Sequence, residues 1–277
     1  AAAVQYPDTY LAVMAASASS DAFGFQLMGQ TVDFTGAPTW SELGNKSMTP
    51  YSTLPQPLVK ELTSTIGAFQ AFESPGTIGV GTLLWVGTQG LDHEIMMVTA
   101  VTDSGNLTLQ RACLDTVAKA WPAGAPVWFY DPSLAIEDTT NRGDGQIVSY
   151  KLLTTTSLGT LELDQSPTVS VTAEARSSLP YRPANVRLVG QLWPGVVAGN
   201  AASTQVTWSN RNRLLEVDRV YPWDFGNISP ERGATVTLQL LNTDGSVIST
   251  QTGLTGTSAN IDLTTVIGAT ATIRIWA

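Results

Sequence analysis

Charged residues are scarce in this sequence. Asp, Glu, Lys and Arg make up 13% of the 277 residues, against roughly 25% in an average globular protein. The net charge is −9 and the pI is near 4.5, so the surplus of Lys and Arg that a nucleic-acid-binding face requires is missing. We therefore expect no nucleic-acid partner, and an uncharged polar surface suited to wide protein contacts or to a place outside the cell.

Cysteine and histidine are almost absent, with Cys113 and His93 the sole examples. A single Cys cannot form an internal disulfide, and we expect Cys113 to be a small buried hydrophobe. A single His excludes most metal sites and every Ser-His or Cys-His nucleophile pair. We expect His93 to be a solvent-facing residue at a strand edge, because adjacent side chains on a strand point to opposite faces. The sequence thus predicts no metal, no cofactor and no catalytic residue.

Long hydrophobic runs are also missing. The longest, such as Gly79–Gly87, is far shorter than the ~20 residues of a membrane span, so we expect none. The start, Ala1–Val4, lacks the basic and apolar regions of a signal peptide. We expect the chain to be a segment of a longer protein, either processed or expressed as a fragment.

The sequence is instead rich in segments with a period of two residues, which is typical of β-strands. Four such segments between Ile78 and Tyr130 predict a small β-barrel or sandwich; they are Gly81–Val86, Glu94–Val101, Asn106–Arg111 and Pro126–Tyr130. Gln56–Phe72 has apolar residues at helical spacing but also Thr, Ser and Gly of low helix propensity. A short helix and a strand with a turn are both left open there.

A domain boundary is predicted at Ser177–Pro183, because two prolines and a Ser pair interrupt any strand pairing. The alternation of Val236, Leu238 and Leu240 with polar residues, together with Trp208 as core aromatic, predicts a fibronectin-III- or immunoglobulin-like β-sandwich beyond it. The predicted fold is all-β with three parts. These are an amino-terminal arm or strands of an incomplete domain (1–55), a β-barrel or sandwich domain (56–178) and the second sandwich (179–277).

Tyr221, Trp223 and Phe225 form the densest aromatic group and fall in a predicted loop. Loop aromatics can stack on sugars or anchor a protein partner, so these three are the candidate binding residues. The alternative is a loop folded onto its own sandwich with Trp223 buried. Arg142-Gly143-Asp144 matches the tripeptide read by integrins, but Asn, Asp and Gly at this place indicate a β-turn. The acidic residues are scattered without a local motif, so no pair is predicted to hydrolyse glycans.

Two stretches resemble the tail hub or host-specificity proteins of siphophages and gene-transfer agents. The first is Gly79–Tyr130, with Leu107-Thr108-Leu109-Gln110-Arg111, then Asp115-Thr116, then Ala123-Gly124 before an apolar strand. The second joins Ser178–Val186 to Val206–Arg213 and resembles the start of the fibronectin-III-like module of those proteins. The resemblance covers about residues 56–277. Cys113-Leu114 departs from it where glycine or arginine is usual, and Trp121 where His is common.

The resemblance implies that residues 56–178 are a domain of tail-hub type in a non-enzymatic part of a virion tail tip. Other phage tail proteins would be its partners, a homotrimer its assembly, and a bacterial surface receptor, protein or glycan, its target. Two other classes of protein fit the low charge and the β-pattern. One is a carbohydrate-binding or adhesion module of a secreted bacterial protein, and the other is a glycan-cleaving tail enzyme.

Overall fold

The computed structural model describes residues 11–17, 21–32, 34–69, 78–87, 93–173, 179–192, 203–216, 219–266 and 270–277. The described chain is all-β: it contains antiparallel strands, two short 3-10 helices at Pro132–Leu134 and Leu263–Thr265, and no α-helix. Within these residues no helix is long and apolar enough to cross a bilayer. The chain forms two compact units, residues 1–110 with 119–178 and residues 111–118 with 179–277.

The strands follow the predicted period-two segments closely, and they are numbered in chain order. They are β1 (Leu11–Val13), β2 (Ala22–Val32), β3 (Pro38–Ser47), β4 (Tyr51–Thr53), β5 (Thr63–Ile66), β6 (Leu83–Gly87), β7 (His93–Val101), β8 (Leu107–Gln110), β9 (Pro126–Tyr130), β10 (Ile136–Asp138), β11 (Ile147–Thr156), β12 (Gly159–Thr160), β13 (Thr168–Thr172), β14 (Ala184–Leu188), β15 (Thr204–Ser209), β16 (Val236–Asn242), β17 (Val247–Leu254), β18 (Ser258–Ile261) and β19 (Ala271–Trp276).

The first unit contains a five-stranded sheet built from both ends of its chain. Its order is β12-β11-β2-β3, and β13 also pairs with β11. Phe25 and Leu27 of β2 and Tyr150 of β11 face one side, where they form a core with Ile136. Strands from the predicted ranges 1–55 and 56–178 therefore share this sheet, and β1 pairs in the same way with β10.

A six-stranded antiparallel sheet, β4-β9-β6-β7-β8-β5, is formed by the chain between β3 and β10. Leu84 and Val86 of β6 and Met96 and Val98 of β7 alternate with less buried residues and form its core. This alternation puts every second side chain on the inner face of the sheet. Of the two alternatives for Gln56–Phe72, the structure has the strand, because Thr63–Ile66 pairs with β8. Residues 70–72 lie outside the described chain.

The second unit is a pair of three-stranded antiparallel sheets. Their orders are β14-β15-β18 and β17-β16-β19. Trp208 and Val206 of the first sheet and Leu238 and Leu240 of the second share one buried core. The apolar residues whose alternation predicted a sandwich are the ones that fill this core. The polar residues between them on β15 and β16 point away from it.

Candidate functional site

The hairpin of β2 and β3 extends beyond the core of its sheet. The last paired residues are Val32 and Pro38, and both are exposed. Phe34 follows at the tip, with its side chain fully exposed. Leaving a Phe side chain in water forgoes roughly 1.5–3 kcal/mol of burial free energy, so this hairpin offers an apolar contact to another molecule.

The hairpin of β11 and β12 carries a second exposed apolar tip. Leu158 is 96% exposed, and its backbone N–H donates to Oγ1 of Thr156 over 3.2 Å. Thr156 pairs with Ala22, at the start of β2, whereas Phe34 follows the end of β2. The two tips therefore lie at opposite ends of one sheet.

The loop between β15 and β16, residues 210–235, contains the predicted binding residues and is held by two ion pairs. Arg211 forms a bidentate pair with Glu216, with Nε 2.9 Å from Oε1, and both side chains are 3% exposed. Arg213 pairs with Glu231, with Nε 3.1 Å from Oε2. Breaking a buried ion pair of this kind costs several kcal/mol, so the residues that these pairs join are held in a fixed conformation.

Asparagine side chains complete the anchoring of this loop. The backbone N–H of Asn210 donates to Oδ1 of Asn227 over 2.8 Å. The side chain of Asn212 donates to the carbonyl oxygen of Ser229, also over 2.8 Å. Both bonds join the start of the loop to its end, which positions the aromatic residues between them.

The three predicted binding residues have different environments in this loop. Trp223 is buried at 4% exposure, whereas the rings of Tyr221 and Phe225 contact each other with centroids 4.6 Å apart. Arg219 lies with its guanidinium carbon 4.5 Å from the Tyr221 ring. Tyr221 and Phe225 are thus the two rings near the surface, and Trp223 fixes the loop from inside.

Sequence reasoning missed the most exposed large apolar side chains among the described residues of this loop. Leu214 and Leu215 are 55% and 56% exposed, and they lie between the ion-paired residues Arg213 and Glu216. Two adjacent leucines inside a polar loop were the available signal. They extend the apolar surface that the loop can offer to a partner.

Arg142 of the integrin-like tripeptide belongs to a polar cluster around the buried Asp138, whereas Gly143 and Asp144 are exposed. Nη2 of Arg142 donates to Oδ2 of Asp138 over 2.6 Å, and Tyr150 donates to the same oxygen over 2.8 Å. Burial alone would raise the pKa of the Asp138 carboxyl, but hydrogen bonds from Thr140, Arg142 and Tyr150 outweigh it and lower that pKa. The Arg142 guanidinium therefore serves the fold at this position.

His93 is half-buried, in contrast to the solvent-facing position expected for it. Its ring stacks on Trp85 with centroids 4.1 Å apart. The next residue, Glu94, is fully buried on the other face, where Oε2 accepts from Nε1 of Trp121 over 2.8 Å. Cys113 is buried as well. The described residues contain no group of three His, Cys, Asp or Glu side chains arranged to hold a metal ion.

Comparison with known proteins leaves the family of this chain open. No protein-family model matches the sequence, and no curated protein matches it either.

Proposed function

We propose that this chain is a structural component of a bacteriophage tail tip or baseplate hub that contributes to tail assembly and to recognition of the host receptor. Its role is non-enzymatic, and its place is the tail tip of the virion. The partners are other tail proteins and a receptor on the bacterial surface.

The observation that carries the proposal is the exposure of Phe34 at the tip of a protruding hairpin. A neighbouring subunit that buried this ring would recover the free energy that the isolated chain forgoes, and aromatic anchors of this kind dominate binding energy at interfaces. The low charge of the whole chain supports the same conclusion, since the cores of protein interfaces are depleted of charged residues.

The placement of the second tip favours a ring-like assembly. Phe34 and Leu158 lie at opposite ends of one sheet, so a subunit can contact two neighbours through two different surfaces. Contacts between unlike surfaces close into rings when the rotation between subunits allows it. A homotrimer is the assembly that we propose.

The anchored loop of the second unit supports the recognition half of the proposal. Leu214, Leu215 and Phe225 are exposed on a segment that two ion pairs hold in place. A preorganised apolar surface loses little conformational entropy on binding, which suits a receptor contact.

The mass of the full chain in solution tests the proposed trimer assembly. We expect sedimentation at micromolar concentration to give a trimer, and Phe34→Ser to weaken the association roughly 30-fold or more. Val80→Ser is the matched control, because Val80 is 71% exposed but lies outside both hairpin tips. A chain that is monomeric, or a Phe34→Ser variant that associates like the parent, contradicts this half of the proposal.

Antibody labelling of virions that carry the chain tests its location. We expect gold particles at the tail tip in electron micrographs. Label on the capsid would contradict the proposal. So would turnover of a substrate that is lost when an acidic residue is changed to its amide, because the chain would then be an enzyme.

A further inference from the structure

A polar groove lies beside the β11–β12 hairpin in the first unit. Its volume is about 560 Å³, within the range of roughly 300–1,000 Å³ typical of small-molecule sites. It lies at the end of the sheet opposite to Phe34, because β2 begins there and Thr155 and Thr160 of the hairpin line it. The groove is therefore separate from the Phe34 tip that we propose for assembly.

Gly24 forms the floor of the groove. It pairs with Ser47 on one side and with Thr155 on the other, and all three line the cavity. A Cβ at this position would lie 3.0 Å from the carbonyl oxygen of Lys46, a tighter contact than most Cβ atoms make, so the Lys46 backbone would have to shift slightly. Glycine thus lets β2 and β3 approach each other closely at the base of the groove.

Two amide side chains stand together on the wall of the groove. Gln26 and Asn45 are directly opposite each other in the β2–β3 ladder, and Gln26 points away from the core because its neighbours Phe25 and Leu27 point into it. No other described residue forms a hydrogen bond with either amide. Side chains at such a pair of positions are about 5 Å apart, so both amides can bind one small ligand as donors and acceptors.

An aromatic ring completes the groove. Phe23 is 60% exposed and lies at its mouth. The C–H face of a sugar ring is apolar and stacks on such a side chain, while the hydroxyl groups around the sugar need donors and acceptors. One ring beside two amides and several hydroxyl groups is therefore the chemistry of a saccharide site.

The charge of the groove indicates which saccharides it fits. Lys46 is the one charged residue among the described residues that line it. Asp131 is close enough to Lys46 for the cation to help lower the pKa of that carboxyl, after the larger effect of hydrogen bonds from Ser133. The cation is thus partly neutralised, and a strongly anionic ligand finds little here to attract it.

We propose that this groove binds a short neutral oligosaccharide of the kind displayed on bacterial surfaces. The inference deepens the receptor-recognition half of the proposed function and rests on it for the identity of the surface. Binding itself needs the first unit alone.

The full chain, titrated calorimetrically with cellohexaose, maltohexaose and chitohexaose and screened on an array of neutral O-antigen oligosaccharides, tests the proposal. We expect at least one of these saccharides to bind. Phe23→Ala, Gln26→Ala and Asn45→Ala should each weaken that binding about tenfold, the loss typical of one stacked ring or one amide contact. Their circular dichroism should be unchanged, because none of these side chains belongs to the core.

Two matched variants control for the substitution itself. Gln30→Ala changes the same side chain on the same strand about 14 Å away, and Val80→Ala removes an exposed apolar side chain that does not line the groove. Both should bind like the parent. The proposed saccharide site is wrong if no saccharide binds, or if Gln26→Ala and Gln30→Ala lose equal amounts of binding affinity. If the chain forms trimers but binds no sugar, only the saccharide-binding proposal fails. If the chain is a monomer that binds sugar, only the trimer proposal fails.

Discussion

The hydroxyl group of Tyr150 donates a 2.8 Å hydrogen bond to Oδ2 of Asp138, and both side chains are buried in the first unit. Arg142 donates to the same oxygen from the loop that follows β10. Burial raises the pKa of the Tyr150 phenol, and its bond to the Asp138 carboxylate raises it further. The pair thus joins β10 and β11 through a carboxylate that stays ionised and a phenol that stays neutral.

Tyr150→Phe should destabilise the first unit at neutral pH and make its stability depend less on pH, because the folded and unfolded pKa values of Asp138 then lie closer together. The pKa of Asp138 is lower in the folded chain than its unfolded value of about 4, so its contribution to stability is present above pH ~4 and is lost as the pH falls through the folded pKa. Removing one donor raises the folded pKa and should cost about 1–2 kcal/mol at neutral pH. Urea unfolding measured from about pH 3 to pH 7 checks both effects.

Tyr130→Phe is the control for that series, because Tyr130 is 39% exposed at the end of β9. We expect it to leave the acid limb of the stability profile unchanged. A Tyr150→Phe profile that coincides with the parent would show that the phenol does not support the Asp138 carboxylate.

Glu216→Gln should destabilise the second unit by roughly 3–5 kcal/mol. The substitution keeps the shape of the side chain but leaves the Arg211 guanidinium buried without its counter-charge. It also weakens the bond that Oε1 accepts from the backbone N–H of Asn212. Thermal unfolding measures the loss, and Glu162→Gln at an exposed site should have almost no effect. Equal unfolding midpoints for the two variants would contradict the structural role of the ion pair.

The sequence was sufficient to predict which segments form strands, but it did not predict which strands pair over long distances. Alternation along β16 directly reports a buried face, so Val236, Leu238 and Leu240 were predictable as core. The pairing of β2 with β11 joins residues far apart in the chain, and no local period encodes it. Of the two alternatives for the aromatic loop, the structure has Trp223 buried. Full exposure of Phe34 was beyond prediction, because an aromatic residue in a loop suits either environment.

Trp121→Phe should lower the stability of the six-stranded sheet by about 1–3 kcal/mol. Nε1 of Trp121 donates to the buried carboxylate of Glu94, and Phe has no group to replace that donor. Trp128→Phe is the comparison, because Trp128 is half-buried and packs edge-on against Tyr51. Chemical unfolding of both variants measures the difference. A smaller loss for Trp121→Phe than for Trp128→Phe would contradict the importance of this hydrogen bond.

Val189→Asn should stabilise the second unit by about 1 kcal/mol. Val189 and Gly190 are the central residues of a two-residue turn, closed by hydrogen bonds between Leu188 and Gln191, and both have positive φ, +52° and +76°. A β-branched side chain is strained in this left-handed region, whereas Asn-Gly is the preferred pair for such a turn. Little burial is lost, because Val189 is 59% exposed.

Val247→Asn provides the opposite case. Val247 is similarly exposed but lies in β17, where its side chain suits the extended backbone, so the same substitution there should be neutral or destabilising. Thermal unfolding of the two variants separates relief of backbone strain from any general effect of a polar surface residue. A lower midpoint for Val189→Asn than for the parent would show that the turn tolerates valine at no cost.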